Sequence, residues 1–386
     1  MSAGSDVLIV GAGPAGSFLA YLLARAGYTV TVIDKATFPR DKVCGGGLSH
    51  KTIELLPFDI SPVVRRRVIG AFLTYQNRDT TVKDLGERGG AAVIRSEFDH
   101  FLLEKAIGAG ARFIGGTSFV SLKKTGDTVA VTTSRGVLGA RYLVGADGVF
   151  SAVRQCVFGR DVVKYLPAVE ALVTVTPEKA ERITNRVVFD FGGMPRGYGW
   201  IFPKHDHLNV GVYSIYRTRS IKADLARFMA RYDILASPLH VRHLGFSIPV
   251  KNRRGVFERD HVLLLGDAAG FAESFYGEGI YFALESALVA AEALAASFDR
   301  PNERAYTELV KTRIQPELTY SELSARLFFS HQIFGFYRMA RNAHVNARFA
   351  ELIAGGIGQK ACFYKTLFTS PYWLFSRRLP AAGVRL

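Results

Sequence analysis

DVLIVGAGPAGSFLAYLLARAGYTVTVID, residues 6–34, decides the fold of this chain. After Asp6 comes VLIV, a short continuous apolar run of the kind carried by a strand buried on both faces. Gly11, Gly13 and Gly16 follow at GxGxxG spacing, and Pro14 suits the first helical turn, where a missing N–H costs nothing. The helix SFLAYLLARAG stops at Gly27, and a second strand, YTVTVID, ends on Asp34. The first glycine makes the tight turn, the second lets backbone approach a pyrophosphate, and the third permits close helix–strand packing. The helix N-terminus offers N–H groups and a positive dipole end to the phosphates. Asp34 stands about 20 residues on, where an acid accepts ribose hydroxyls. Ala15 and Lys35 are grouped with these cofactor-binding positions. Strand, turn, helix, strand and acid together predict a dinucleotide site. Residues 7–24 are uncharged and long enough for a membrane span, but Gly11, Gly13, Pro14 and Gly16 divide them, so no span is expected.

The remaining composition sets bounds. A length of 386 residues allows two or three packed units, and 48% hydrophobic content supports a large core with no disordered or repetitive segment. Cys44, Cys156 and Cys362 are too few and scattered for a disulfide framework or a CxxC metal site, which fits a reducing compartment. The start MSAGSDV lacks a basic leader, so the expected location is cytoplasmic, with peripheral contact at the inner membrane face. A net charge of +15, with clusters at Arg65–Arg67, Arg253–Arg254 and Arg377–Arg378, favours anionic lipid or a diphosphate. No nucleic-acid motif accompanies it, and none of that partner class is expected. HDH at 205–207 has metal-like residue types but no third ligand nearby; it reads as a solvated turn, and no metal is expected.

Two distant segments choose between FAD and NAD. YLVGADGVFSAVR (142–154) is a strand ending in a turn at Asp147, and VLLLGDAAG (262–270) is a buried strand ending in Gly266-Asp267. With the first motif, these resemble the flavoprotein monooxygenase-like superfamily. That resemblance implies FAD, with Asp267 reaching its ribityl and phosphate region and Asp147 shaping the site between strand and helix. Downstream, Gly277, Gly279 and Ile280 open a long helix rich in alanine and leucine, whose N-terminal dipole would favour negative charge on a reduced ring.

Three further stretches sharpen the resemblance: FPRDKVCGGGL (38–48), IRSEFDHFLLEKAIGAGA beginning at Ile94, and PRGYGWIFPKHDHLNVG (195–211). In order and spacing they are similar to the K-x-CG-x-GL, R-x-x-F/L-D and Y-x-W-x-FPK…NVG segments of the geranylgeranyl reductase family. The likeness runs from residue 6 to about 297. It implies Cys44, Gly45 and Arg95 as further FAD neighbours, and reduction of isolated C=C bonds in a prenyl chain by hydride from flavin N5. One departure concerns substrate: Phe275-Tyr276 precede GEGI where family members often have proline and threonine. An unactivated alkene also needs a proton on its second carbon. Cys44, Tyr198 and Tyr276 are candidates by residue type, alongside a bound water. With no second nucleotide fingerprint, the reductant is expected to be transient NAD(P)H or reduced ferredoxin or flavodoxin.

Residues 168–175, 186–192, 198–203, 208–214 and 241–250 read as strands. The expected class is α/β: a Rossmann-type, p-hydroxybenzoate hydroxylase-like FAD-binding domain (1–67, 95–165 and 251–300), interleaved with a mainly antiparallel β-sheet substrate domain (68–94 and 166–250), then C-terminal helices (301–386). Period two puts Tyr198, Trp200 and Phe202 on one strand face and Gly197, Gly199 and Ile201 on the other, with Phe189 and Phe191 alternating alike. These aromatics are either plain sheet core or a wall for an apolar isoprenoid-type or other small-molecule substrate; the second reading adds Phe275 to the lining. Aromatic and basic residues interleave in the tail, as in bundle packing, a lipid entrance or a membrane-resting surface. Other activities stay open: an oxygen-activating monooxygenase or halogenase acting on an aromatic or apolar molecule, or a non-catalytic flavin electron carrier. The halogenase GWxWxIP stretch is matched here except at Tyr198 and Phe202.

Overall fold

The computed structural model describes residues 4–159, 163–183, 185–216, 218–252, 255–299, 304–368 and 386. Arg253–Arg254, Arg377–Arg378 and the aromatic PYWLFSRRL stretch lie outside them. The chain divides into two compact units: Met1–Lys42, Arg95–Tyr165 and Ile248–Leu318 form unit 1, and Val43–Ile94, Leu166–Ser247 and Thr319–Leu386 form unit 2.

Unit 1 is built on the predicted strand. Ser5–Val10 pairs in parallel with Val30–Ile33 on one side and Gly136–Gly145 on the other. Arg112–Ile114 and Val262–Leu264 extend this parallel core at its two ends. The sheet has eight strands among the described residues; the other three, Phe119–Thr125, Thr128–Thr133 and Glu258–Arg259, pair antiparallel. Val7, Leu8 and Ile9 are at most 1% exposed, as burial on both faces requires. Helix Pro14–Arg25 packs against Arg95–Gly108 and Ile280–Asp299. The span Ile280–Phe298 is long and apolar enough to cross a membrane by composition, yet 61% of its most apolar stretch is buried within the protein.

Two glycines of the turn are demanded by the protein itself. Gly11 has φ +106°, and a Cβ there would lie 2.3 Å from the Ala146 carbonyl oxygen. At Gly16 a Cβ would lie 1.9 Å from the Gly11 carbonyl oxygen. Helix and strand can approach this closely only without side chains at these points.

Unit 2 holds a seven-stranded, mainly antiparallel sheet and a three-stranded one. In the larger, Gly197–Pro203 lies between Arg186–Asp190 and Leu208–Ser214, with Trp200 opposite both Phe189 and Gly211. One face carries the aliphatic core, where Ile201, Val188, Val210 and Val212 meet Phe228 of helix Ile221–Met229. Gly199 makes room there, since a Cβ would sit 2.4 Å from the Phe228 ring.

Unit boundaries differ from those expected: unit 1 resumes at Ile248 rather than 251, residues 319–386 group with unit 2, and two further segments change place. Residues 43–67 group with unit 2, because Gly47–Leu48 and Val64–Val68 both pair with Gly90–Val93. Residues 304–318 stay with unit 1, where the Tyr306 hydroxyl donates to the Leu264 carbonyl at 2.9 Å and Thr307 N–H to Glu258. The remaining C-terminal helices belong to unit 2. There the Gln332 side chain donates to the Met194 and Gly197 carbonyls at 2.8 and 2.6 Å and accepts from Arg196 N–H.

Candidate active site

The expected site residues fall into two groups, one in each unit. In unit 1, Asp34 is buried and both carboxylate oxygens are used: Oδ2 accepts from Ala12 N–H at 2.8 Å and Oδ1 from Ala36 N–H at 2.9 Å. The acid therefore ties the end of its strand to the glycine turn and is held in a single orientation. Helix Pro14–Arg25 has no side-chain cap, which leaves its first turn suited to anionic oxygens. Gly13 differs from Gly11 and Gly16: it has φ −75°, and the one atom near an added Cβ is Arg40 Nη2 at 3.4 Å. Ala15 is buried beside it and Lys35 is exposed.

Arg40 was not among the expected residues. Its Nη2 lies 3.1 Å from Asp99 Oδ2, and its Nη1 is buried with no hydrogen-bond partner among the described residues. Arg95 holds the same carboxylate through two bonds of 2.7 and 2.8 Å. Two guanidinium groups thus share one carboxylate, and Arg40 extends a positive charge and an orphan donor beside the Gly13 backbone. That arrangement fits a diphosphate.

Asp147 Oδ2 accepts from the Ala152 and Val153 N–H groups at 2.7 and 3.2 Å, while buried Oδ1 has no partner among the described residues. Burial raises its pKa, against the opposing pull of those bonds. Arg154, fully buried, donates to the Ala268 carbonyl at 2.8 Å, the Val149 carbonyl at 2.7 Å and the Tyr165 hydroxyl at 2.7 Å. It therefore fastens the turn after Asp147 to the turn after Asp267. Burial lowers its pKa, and the neighbouring charges of Tyr165, Asp147 and Asp267 oppose that shift. Gly266 N–H donates to Ser286 Oγ, so the Gly266-Asp267 turn is also bound to the long helix behind it.

The FYGEG turn is held by Glu273, also not anticipated. Its two oxygens accept from Phe275 N–H at 2.7 Å and Tyr276 N–H at 2.6 Å, and its own N–H donates to the Glu278 carbonyl. Phe275 is 1% exposed, Tyr276 is half-buried, and their rings meet at 4.7 Å. Gly277 has φ +71°; Gly279 lies with its Cβ position 3.5 Å from Asp267 Oδ1, immediately before buried Ile280.

In unit 2 the aromatic stripe is continuous. Phe189 meets Tyr198 at 5.6 Å and Phe202 at 5.5 Å; Trp200 lies 6.1 Å from Tyr198 and 6.5 Å from Phe202. None of these four rings belongs to the aliphatic core on the opposite face. The Trp200 indole occupies the space left by Gly211, where a Cβ would lie 2.1 Å from the ring, and its N–H donates to Asn209 Oδ1 at 2.7 Å. The CGGG segment lies on this aromatic face: Cβ atoms at Gly45 and Gly47 would sit 3.2 and 3.0 Å from the Phe202 ring. Cys44 N–H donates to buried Glu170 Oε1 at 3.2 Å, and Gly46 N–H to Cys44 Sγ at 3.4 Å.

Lys204 completes the group. It is 5% exposed, and its Nζ donates to the carbonyls of Gly45 at 2.6 Å, Val93 at 3.0 Å and Gly46 at 3.2 Å. Burial lowers its pKa to about 8, with the charges of Cys44 and Glu170 pushing it back up. A signal for it existed in the sequence: 198, 200, 202 and 204 share one phase, and a lysine in step with a buried stripe needs acceptors.

Residues 4–162 match the family model described as FAD binding domain, and residues 93–319 match the one described as tryptophan halogenase. The second covers more than half of the chain, so this is a flavoprotein of the group that also holds those halogenases. Geranylgeranyl diphosphate reductase of Rhodobacter capsulatus is 31% identical over 303 residues, covering 75% of each chain. Menaquinone reductase of Mycobacterium tuberculosis is 31% identical over 328 residues, 75% of this chain and 76% of that one. A geranylgeranyl bacteriochlorophyll reductase-like structure from Thermoplasma acidophilum aligns with TM-score 0.74 and 21% identity over 94% of this chain and 96% of that one, a likeness of fold. With a relative 31% identical over 75% of both chains and an FAD binding domain match, the chain belongs to the geranylgeranyl reductase family of FAD-dependent oxidoreductases.

Proposed function

We propose that this enzyme reduces isolated C=C bonds in the prenyl chain of a lipid. The observation that carries the reading is the CGGG segment lying on the aromatic face of Gly197–Pro203, which puts a thiol-bearing loop on an apolar wall. The chemistry that bound, reduced FAD would supply is a hydride, with transient NAD(P)H or a reduced ferredoxin or flavodoxin proposed as the electron source. In unit 1 the residues that would hold it are the Gly11–Gly16 turn, Asp34, Arg40, Asp147 and Asp267. Phe189, Tyr198, Trp200 and Phe202 would line the chain's path and exclude water, so that a proton is delivered only where one is placed. The alkene takes a hydride on one carbon and a proton on the other; Cys44 Sγ is the donor we favour over the hydroxyls of Tyr198 and Tyr276.

A second reading is oxygen activation, as in a monooxygenase or halogenase, favoured by the match to the halogenase model over 93–319. Anaerobic mixing separates the two. Photoreduced enzyme given a geranylgeranyl lipid without oxygen should regain its yellow absorbance and yield a product heavier by two hydrogens per bond reduced. Reoxidation that requires air and gives a hydroxylated or halogenated product would sink the reductase reading.

We also propose peripheral contact with anionic membrane. Helices Gln315–Ser330, Gln332–Arg341 and Gln359–Phe368 expose Leu323, Leu327, Ile333, Phe334 and Leu367, all residues of unit 2, on a chain of net charge +15. The protein should co-sediment with vesicles containing phosphatidylglycerol and be released by salt. Equal recovery with neutral vesicles, or none with either, would count against it.

A further inference from the structure

In unit 1 two arginines meet one buried carboxylate, and they do not share it equally. Asp99 is fully buried on helix Arg95–Gly108. Arg95, one turn earlier on that helix, grips both of its oxygens, Nε on Oδ1 at 2.7 Å and Nη2 on Oδ2 at 2.8 Å. Such a two-pronged pair is geometrically complete and balances one negative charge with one positive. Arg40 comes to the same Oδ2 from the loop after Asp34, through Nη2 alone at 3.1 Å. Its guanidinium carbon also lies 4.9 Å from the centre of the Phe38 ring, and that ring meets Phe113 of strand Arg112–Ile114 edge to face at 5.7 Å. One carboxylate and one ring face thus aim Arg40. Neither occupies its Nη1, which is buried without a partner among the described residues. The Nη2 is also the atom beside the Cβ position of Gly13, at the start of helix Pro14–Arg25.

We infer that Arg95 is a positioning residue for FAD: by saturating Asp99 it keeps that carboxylate from neutralising Arg40, whose charge is then left for the FAD diphosphate. Two guanidinium groups and one carboxylate leave a single positive charge, and the pairing geometry assigns it to Arg40. Without Arg95, the buried carboxylate would have one guanidinium in reach and would take both of its prongs. Arg40 would turn away from the Gly13 backbone, and the cluster would carry no net charge. The likeness of the Arg95 segment to a family motif implies a direct FAD neighbour; here the arginine acts at one remove, through Asp99. The inference rests on FAD lying at the glycine turn and not on which substrate the flavin reduces.

Equilibrium dialysis of the holoenzyme at low and at high salt gives the FAD dissociation constant and its salt dependence, and a urea transition reports the fold of each variant. Arg40→Met should weaken FAD binding about tenfold or more at low salt, the worth of one charge-assisted contact, and flatten the salt dependence. Arg95→Met should do the same. Adding Asp99→Asn to Arg95→Met should restore both affinity and salt dependence, because Arg40 then faces a neutral amide that can still accept from it. In a protein already carrying Asp99→Asn, Arg95→Met should change affinity less than about twofold. A contact that only supported the fold would not behave so, since a second deletion in the same cluster would loosen it further.

A folded Arg95→Met/Asp99→Asn protein that does not regain affinity overturns the inference. So does a tenfold loss from Arg95→Met in the Asp99→Asn background, which would mean that Arg95 attracts FAD itself. Asp99→Asn alone leaves two guanidinium groups without a counter-charge; where it does not fold by itself, the rescue of Arg95→Met decides. Full affinity in Arg40→Met also overturns the inference. Gly13→Val separates that failure from a wider one: if it loses FAD, the turn still holds the cofactor and only the role of the arginines falls.

Discussion

Gly13→Val should give a folded protein that no longer retains FAD. The three glycines of the turn separate here by what each one faces. Side chains at Gly11 or Gly16 would collide with backbone, at Ala146 and Gly11 respectively, so changing either disturbs the fold itself. Gly13 has ordinary backbone angles and room for a Cβ, with the Arg40 guanidinium 3.4 Å away as the nearest atom. A valine there fills the place where pyrophosphate oxygens would meet the helix N-terminus, and pushes Arg40 aside. Affinity for FAD should fall on the order of 100-fold or more, equivalent to about 2.7 kcal/mol. The purified variant should be colourless, with a cooperative urea transition and a far-ultraviolet circular dichroism spectrum like the parent's. A yellow Gly13→Val protein would remove the assignment of the turn, and an unfolded one would show that Gly13 too is a packing glycine.

Trp200→Ala should abolish turnover of long prenyl chains while the protein keeps its FAD. The indole fills the gap over Gly211 and donates to Asn209, so removing it also leaves a cavity, with a stability loss of about 3–5 kcal/mol. Trp200→Phe is therefore the companion variant, because it keeps a ring in the gap and removes the N–H. The expected pattern is a graded loss of kcat/KM, steepest for the longest chain and small for a short prenyl substrate, with the flavin absorbance unchanged in both variants. Equal losses at all chain lengths, tracking the fall in urea midpoint, would mean that the stripe serves only as core.

What was legible in the sequence was local. Strand, glycine turn, helix and acid within residues 6–34 constrain one another over a few residues, and the structure places them as expected. The aromatic stripe was legible because period two is a property of a single strand, and the opposite face indeed carries Gly199 and Ile201 against Phe228. Arg40 was not legible, because its place beside Gly13 depends on the path of the chain after Asp34. Arg154 was visible only as a helix residue; its acceptors Val149 and Ala268 lie 5 and 114 residues away. The grouping of 43–67 with unit 2 was hidden for a similar reason, since two short strands must find Gly90–Val93 before the boundary exists. Lys204 was legible in phase but not in purpose: its partners are carbonyls, which no residue type announces.

The two faces of Gly197–Pro203 have a consequence for how this enzyme can change. Alternate positions answer to different selective demands: Gly199 and Ile201 to cohesion of the sheet and helix, Tyr198, Trp200 and Phe202 to whatever lies on the other side. A slip of one residue in strand pairing would exchange the two sets, so the aliphatic face polices the register of the aromatic one. Changes at the aromatic positions then leave the register in place, with Trp200, seated over Gly211, the position where a change also costs stability. If the aromatic face lines the substrate as proposed, new substrates would be acquired by editing even-numbered residues of one strand on a scaffold whose odd-numbered residues stay put.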